Sequence, residues 1–446
     1  MTATITASDR LWIPERRPII AGVLGLITFV AFESFAITTA LPVVARSLAA
    51  EEWYSFAFAG TVVTGLIGMT VGGSWADARG PVVPLKVGGA LLLTGIALCA
   101  AAPGMPTFIA GRLLQGLGAG ITSVVLYVVV AVLIPEHLRA RMFGLFTTAW
   151  LLPSLAGPLL TGVIVETIHW RAVFVLAFVG SLVALASLLV LVAHRIPANR
   201  GGGRIVSQRL LWAALAAAAV FTLHIGGQQP ALSRTILSSC GTALVLLAVT
   251  RLLPPGTLIG RTGIPRFVAL RGLLGGAAAA TDIYLTLYLQ NRLGYSPIAA
   301  GAVIALGALG WAAGAWIQGR STDKGRTASL IRIACALVLL GPVTALAVVT
   351  GVLPVGVAVA GCIISGIGMG IAFPQLTSTV LARTPTRHQG ENSAALQLSE
   401  SLGISVLLAL TGGILAAAAI GGFSAVYIAV SAAAALALAL ALAPVR

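Results

Sequence analysis

Four charged residues stand inside long apolar runs: Glu33 within FVAFESFA, Arg112 within AGRLLQG, Asp282 within AAATDIYL, and Glu400, which follows Ser393 and Gln397. A charge at the centre of a bilayer costs about 2.5–3.5 kcal/mol even on the lenient insertion scale, so each of these residues needs a reason to be there. An apolar setting disfavours the charged form of a carboxylate, which suits Glu33 and Asp282 to picking up and releasing protons. Each proton crossing 100 mV supplies about 2.3 kcal/mol, and about 1.4 kcal/mol is a factor of ten, so one proton sustains a roughly fifty-fold substrate gradient. The expected chemistry is proton coupling, recognition of cationic substrates, or both in competition. The other reading of the two acids is structural, as partners of Arg112 or of a helix terminus. Arg112 carries Gln115 on the same face at i+3. Glu400 continues a polar stripe through Gln397 and Ser393, expected either to face a cavity or to bond a neighbouring helix.

Motifs for other chemistries are missing. The two lysines are followed by Val87 and Gly325, so no phosphate-binding G-x-x-x-x-G-K-[ST] loop exists, and no two histidines are four residues apart as a zinc-binding H-E-x-x-H requires. There is no G-x-S-x-G elbow. Cys99, Cys240, Cys335 and Cys362 all sit in apolar runs, where free cysteine acts as a small buried hydrophobe. No cofactor, metal site or enzymatic activity is expected.

The elements that position the four charges follow from composition. The 446 residues are 58% apolar and 9% charged, with a mean hydropathy of +1.03, whereas soluble domains carry about 25% charged residues. A span needs roughly 20 apolar residues. Apolar runs separated by charged breaks predict fourteen spans, the first near 19–41 and the last near 421–443. With the N-terminus inside, 22 of the 27 cations fall on the cytoplasmic side, Arg46, Arg171, Arg234 and Arg292 fall outside, and Arg112 lies within a span. That asymmetry is the positive-inside signature. It accounts for the net charge of +15 without a nucleic-acid partner, and both termini are expected in the cytoplasm. The first apolar run is about 23 residues long, which favours a retained span over a cleaved signal.

The chain repeats itself. Gly111, Gly116, Gly118 and Gly120 match Gly361, Gly366, Gly368 and Gly370 at an offset of 250, and Gly73 to Asp77 match Gly319 to Asp323 at an offset of 246. Glu33 and Asp282 are equivalent at an offset of 249, and Arg112 corresponds to Cys362. The expected fold is an all-α polytopic membrane protein: a six-helix bundle over 1–198, a linker with two extra helices over 199–262, and a second six-helix bundle over 263–446. Such internal symmetry is expected of secondary transporters, whose sites lie near the midplane. In GxxxG spacings the glycines let helices approach closely. Pro153 and Pro158 remove backbone donors within one span, predicting a kink beside Gly157.

GRLLQGLGAG from Gly111, GSWADARG from Gly73, AGP at Ala156 to Pro158 with Thr161 and Gly162, ALP at Ala40 to Pro42, and HWRAVF from His169 together resemble the major facilitator superfamily. The fourteen-span layout resembles its multidrug/proton antiporter branch. The resemblance implies a part for Arg112 in proton transfer and export associated with the Gly144 to Pro158 pattern. It also implies a cytoplasmic latch, with gating roles for Gly73, Asp77, Arg79, Gly80, Gly319, Asp323 and Arg326 beside Pro153, Gly157 and Pro158. The first loop departs from the family pattern at Ala78, Pro81 and Val82, the second copy (DKGR) is one residue short, and Leu407 and Leu408 stand where an antiporter Gly-Pro would fall in the second half. An apolar cavity lined by Gln115, Tyr127, Trp150, Tyr284, Tyr288, Trp311 and Gln397 would suit lipophilic cations.

The expected function is proton-coupled export of amphiphilic molecules such as drugs, by alternating access, from a monomer in the cell membrane in contact with lipid. A transporter of one specific metabolite and a membrane-embedded protein without transport activity are the alternatives.

Overall fold

The computed structural model describes residues 11–196, 208–227, 229–320, 327–384, 389–417 and 421–443. Among them it contains fourteen α-helices and no strand. The first six are α1 (Arg17–Ser47), α2 (Tyr54–Arg79), α3 (Val82–Ala101), α4 (Met105–Leu133), α5 (Glu136–Thr167) and α6 (Trp170–Arg195). Next come α7 (Gln208–Gly227) and α8 (Ala231–Leu252). The last six are α9 (Ile264–Asn291), α10 (Pro297–Arg320), α11 (Thr327–Val349), α12 (Val355–Ala382), α13 (Gln389–Ala417) and α14 (Gly422–Leu442). All fourteen are long and apolar enough to cross a membrane. In lipid a spanning segment must satisfy its own backbone polar groups, which is why an apolar chain of this composition resolves into helices.

Two compact units emerge, one of Met1–Ala40 with Thr64–Leu210 and one of Leu41–Val63 with Leu211–Arg446. In the first, α3 packs on α4 and α6; in the second, α11 packs on α12 and α14 in the same arrangement. Glycines carry the correspondence down to single residues. A side chain at Gly118 would strike the α3 backbone at Leu92 and Gly88, and one at Gly368 would strike α11 at Ala334 and Val338, which are the repeat equivalents of Gly88 and Leu92 at an offset of 246. Gly120 abuts Gly65 on α2, just as Gly370 abuts Trp311 and Gly314 on α10. With no hydrophobic driving force between helices in lipid, such close backbone approach is what yields packing energy.

The added pair α7 and α8 belongs to the second unit. His224 of α7 is buried, stacks on Phe56 with ring centroids 4.6 Å apart, and places Nδ1 3.5 Å from the Ser55 hydroxyl. Gly227 lies directly against Gly413 of α13. His224 is therefore an anchor for the inserted helices. By contrast α8 presents Leu232, Ile236 and Cys240 outward; the other three cysteines are buried.

Candidate functional site

Glu33 lies midway along α1 and Arg112 two turns into α4, and both are almost fully buried. Arg112 Nη1 donates to Glu33 Oε1 and to Gln115 Oε1 at 2.9 Å. Three polar side chains in an apolar surrounding thus satisfy one another, as buried charge requires. The α1 face beside them is aromatic. Phe35 meets Trp150 of α5 edge to face at 6.2 Å, and Gly157 of α5 leaves room for Phe32 and Phe35, 3.6 Å from where its Cβ would stand.

A second charged cluster joins α9, α12 and α13. Arg271 Nε and Nη2 both reach Glu400 Oε2, at 2.9 Å and 2.8 Å, while Nη1 donates to the Phe373 carbonyl at 3.2 Å and lies 3.4 Å from the Thr377 hydroxyl. The guanidinium lies over the Phe373 ring, 3.6 Å from its centroid, a cation–π contact strengthened by desolvation. Trp311 closes on the same ring at 5.9 Å. Glu400 is therefore one end of an ion pair, and its partner was not among the predicted site residues because Arg271 counted as a cytoplasmic cation. The missed signal is spacing: Arg271 and Asp282 are 11 residues apart, close to three helical turns, and so share a face of α9. Gln397 does not join this cluster and is exposed.

Asp282 has neither arrangement. It is half-buried on α9, and among the described residues its carboxylate has no hydrogen bond or ion pair; only its backbone carbonyl is engaged, by the Thr286 hydroxyl at 2.8 Å. Its equivalent, Glu33, has Arg112, whereas the residue corresponding to Arg112 is Cys362.

The remaining predicted residues scatter. Tyr284 is fully buried; its hydroxyl accepts from Thr411 at 3.0 Å and reaches the Leu408 carbonyl at 3.4 Å, so in this conformation it packs the core of its unit. Tyr288 meets Phe423 at 5.2 Å, and Tyr127 is exposed beside Phe146. Gly73, Asp77 and Arg79 end α2, and Gly80 follows at φ +75°, a left-handed position that glycine takes at no steric cost. Its N–H bonds the Ala76 carbonyl at 2.9 Å. Helix α5 runs through both Pro153 and Pro158. Gly319 sits in the last turn of α10 with open space around it, while Asp323 and Arg326 lie outside the described residues.

The Methylenomycin A resistance protein of Bacillus subtilis is 25% identical over 360 residues, 78% of this chain and 76% of its own length. A probable multidrug-efflux transporter of Mycobacterium tuberculosis is 29% identical over 320 residues, 67% of this chain and 65% of that protein, just under two thirds of its length. In fold, the POT family transporter PepTSo superposes with a TM-score of 0.72 at 13% identity, covering 96% of this chain and 98% of that one. A D-xylose-proton symporter gives 0.67 at 16% identity, covering 96% and 97%. The model of the Major Facilitator Superfamily matches residues 23–408. With fourteen apolar helices and a family match over most of its length, the chain is an integral membrane protein that belongs to the Major Facilitator Superfamily, a family of transporters and not of enzymes.

Proposed function

We propose that this protein is a proton-coupled exporter of amphiphilic small molecules, drugs among them, working by alternating access. In this reading the membrane-embedded charges Glu33, Arg112, Asp282 and Glu400 serve coupling and the recognition of substrate charge. The single observation that carries it is that, among the described residues, the carboxylate of Asp282 has no hydrogen bond or ion pair although it lies in a helix long and apolar enough to cross a membrane, a costly placement in lipid. The export direction is supported by relatives whose names denote resistance and multidrug efflux. The side chains of Gln115, Trp150, Tyr288 and Trp311 are proposed to meet substrate, and the glycines and prolines of α2 and α5 to permit conformational change. Both termini are proposed to face the cytoplasm, a reading supported by the excess of cations on one set of loops.

The test is efflux of a panel of dyes and antibiotics from cells expressing the protein, with and without a protonophore. Loss of export on adding the protonophore is the expected result. Export that survives it would remove proton coupling, and failure to move any panel member would replace drug export with transport of a specific metabolite.

A further inference from the structure

The connection from α8 to α9, Leu253 to Gly263, reads LPPGTLIGRTG and is apolar where a loop facing water would be polar. Its tip exposes Leu258 by 49% and Ile259 by 79%, the latter more than any other large apolar side chain among the described residues. Local bonds fix this shape. The Thr257 hydroxyl donates to the Pro254 carbonyl at 2.6 Å, the Gly260 N–H to the Thr257 carbonyl at 3.1 Å, and the Arg261 N–H to the Gly256 carbonyl at 3.0 Å. Arg266 Nε donates to the Gly260 carbonyl at 3.3 Å, and Gly260 packs directly on Leu440 in the last turn of α14. That contact holds the loop at the level where α14 leaves the bilayer. Leu258 and Ile259 therefore stand at the lipid interface.

Charge at this level is one-sided. Ten arginines and no acidic residue lie between Glu166 and Asp282, and α11 and α14 carry no acid either. Of the cations gathered there, Arg251 lies over the Trp212 ring at 5.3 Å. Arg266 Nη1 donates to the Ala443 carbonyl at 2.9 Å and Arg332 Nε to the Ala441 carbonyl at 3.2 Å, both at the C-terminal end of α14, where a cation is favoured. Arg261 is exposed, and among the described residues its guanidinium has no hydrogen bond or ion pair.

We propose that the α8–α9 connection binds one anionic phospholipid of the surrounding bilayer, with Leu258 and Ile259 between the acyl chains and the Arg261 guanidinium on the headgroup phosphate. Both halves of the ligand are matched: burying apolar side chains at the interface favours membrane contact, and the planar guanidinium fork meets two phosphate oxygens at once. A soluble anion would satisfy Arg261 and leave the apolar tip in water. A neutral lipid would cover the tip and leave the cation without a counter-charge. The site belongs to the inserted helices, which have no counterpart in the repeat, and it stands whatever the transporter carries.

The purified full chain in nanodiscs of mixed phosphatidylcholine and phosphatidylglycerol supplies the test, with retained lipid read by native mass spectrometry. The wild type is expected to retain phosphatidylglycerol in preference to phosphatidylcholine. Arg261→Gln should weaken phosphatidylglycerol binding roughly fivefold, the share of one arginine at an anionic surface, and Arg261→Lys should keep most of it. Leu258→Ser with Ile259→Ser should lower retention of both lipids. All three side chains are exposed, so unfolding temperatures in detergent should match the wild type. A nitroxide on Ile259→Cys, with Cys240→Ser to remove the exposed thiol, should be reached by oxygen and shielded from a water-soluble nickel chelate. Wild-type retention without preference, or full phosphatidylglycerol binding by Arg261→Gln, overturns the phosphate contact. Free access of the nickel chelate to position 259 overturns insertion of the tip, and displacement of the lipid by inorganic phosphate would make this a site for soluble anions instead.

Discussion

Arg112 on α4 closes on the carboxylate of Glu33 on α1, both almost fully buried, while at the equivalent place in the second half Asp282 has Cys362 in place of an arginine and, among the described residues, its carboxylate has no hydrogen bond or ion pair. Two halves that share their glycine packing thus differ in how they handle an acid within a helix. The first half neutralises its acid within the protein. The second holds its acid without such a partner among the described residues.

That difference predicts opposite responses in stability. Replacing Arg112 by Ala strands Glu33, and removing one member of a buried pair costs about 3–5 kcal/mol. Thermal unfolding in detergent should fall sharply for Arg112→Ala, and the double variant Glu33→Gln/Arg112→Gln should unfold at a higher temperature than Arg112→Ala. Equal losses in the single and double variants would show that the pair is not the source of stability.

Asp282→Asn removes no hydrogen bond or ion pair among the described residues, so its unfolding temperature is expected to equal or exceed that of the wild type, while proton-driven dye efflux is lost. A stability drop on the scale of Arg112→Ala would show that the carboxylate has a structural partner after all.

Arg271→Lys keeps the charge but cannot reproduce the flat fork that meets Glu400, the Phe373 carbonyl and the Phe373 ring together. We expect a loss of about 1–2 kcal/mol, comparable to one charge-assisted hydrogen bond, read as a lower unfolding temperature. Adding Glu400→Gln to Arg271→Lys should cost less than the sum of the two single changes, because neighbours in one network do not act additively.

Gly118→Ala and Gly370→Ala drive a methyl into backbone atoms of the neighbouring helices, whereas Gly319→Ala enters open space. The first two should each lower stability by about 1–3 kcal/mol through overpacking, with reduced yield of folded protein, and the third should match the wild type. A tolerated Gly118→Ala would mean that α3 and α4 can part without cost.

His224→Ala removes a ring stacked on Phe56 and the contact to Ser55. Loosening of α7 is expected, detected as faster proteolysis or cysteine labelling near α7 and α8, with little change at α3 and α4 in the other unit.

Hydropathy was enough to count the fourteen helices and to recognise the repeat, because a span is specified by about 20 consecutive apolar residues and glycine spacing within one helix is local. The same reasoning identified Glu33, Arg112, Asp282 and Glu400, since a charge in an apolar run is conspicuous wherever it lies. Their partners were not readable in this way. Arg271 looks like the last of a row of cytoplasmic cations until α9 and α13 bring it to Glu400 across 129 residues, and Tyr284 looks like a cavity residue until Thr411 and Leu408 enclose it. Which buried charge is cancelled and which is left open depends on the register between helices far apart in the chain. That register is set by packing of whole helical faces, so no local pattern around Asp282 could announce that it has no counter-charge among the described residues.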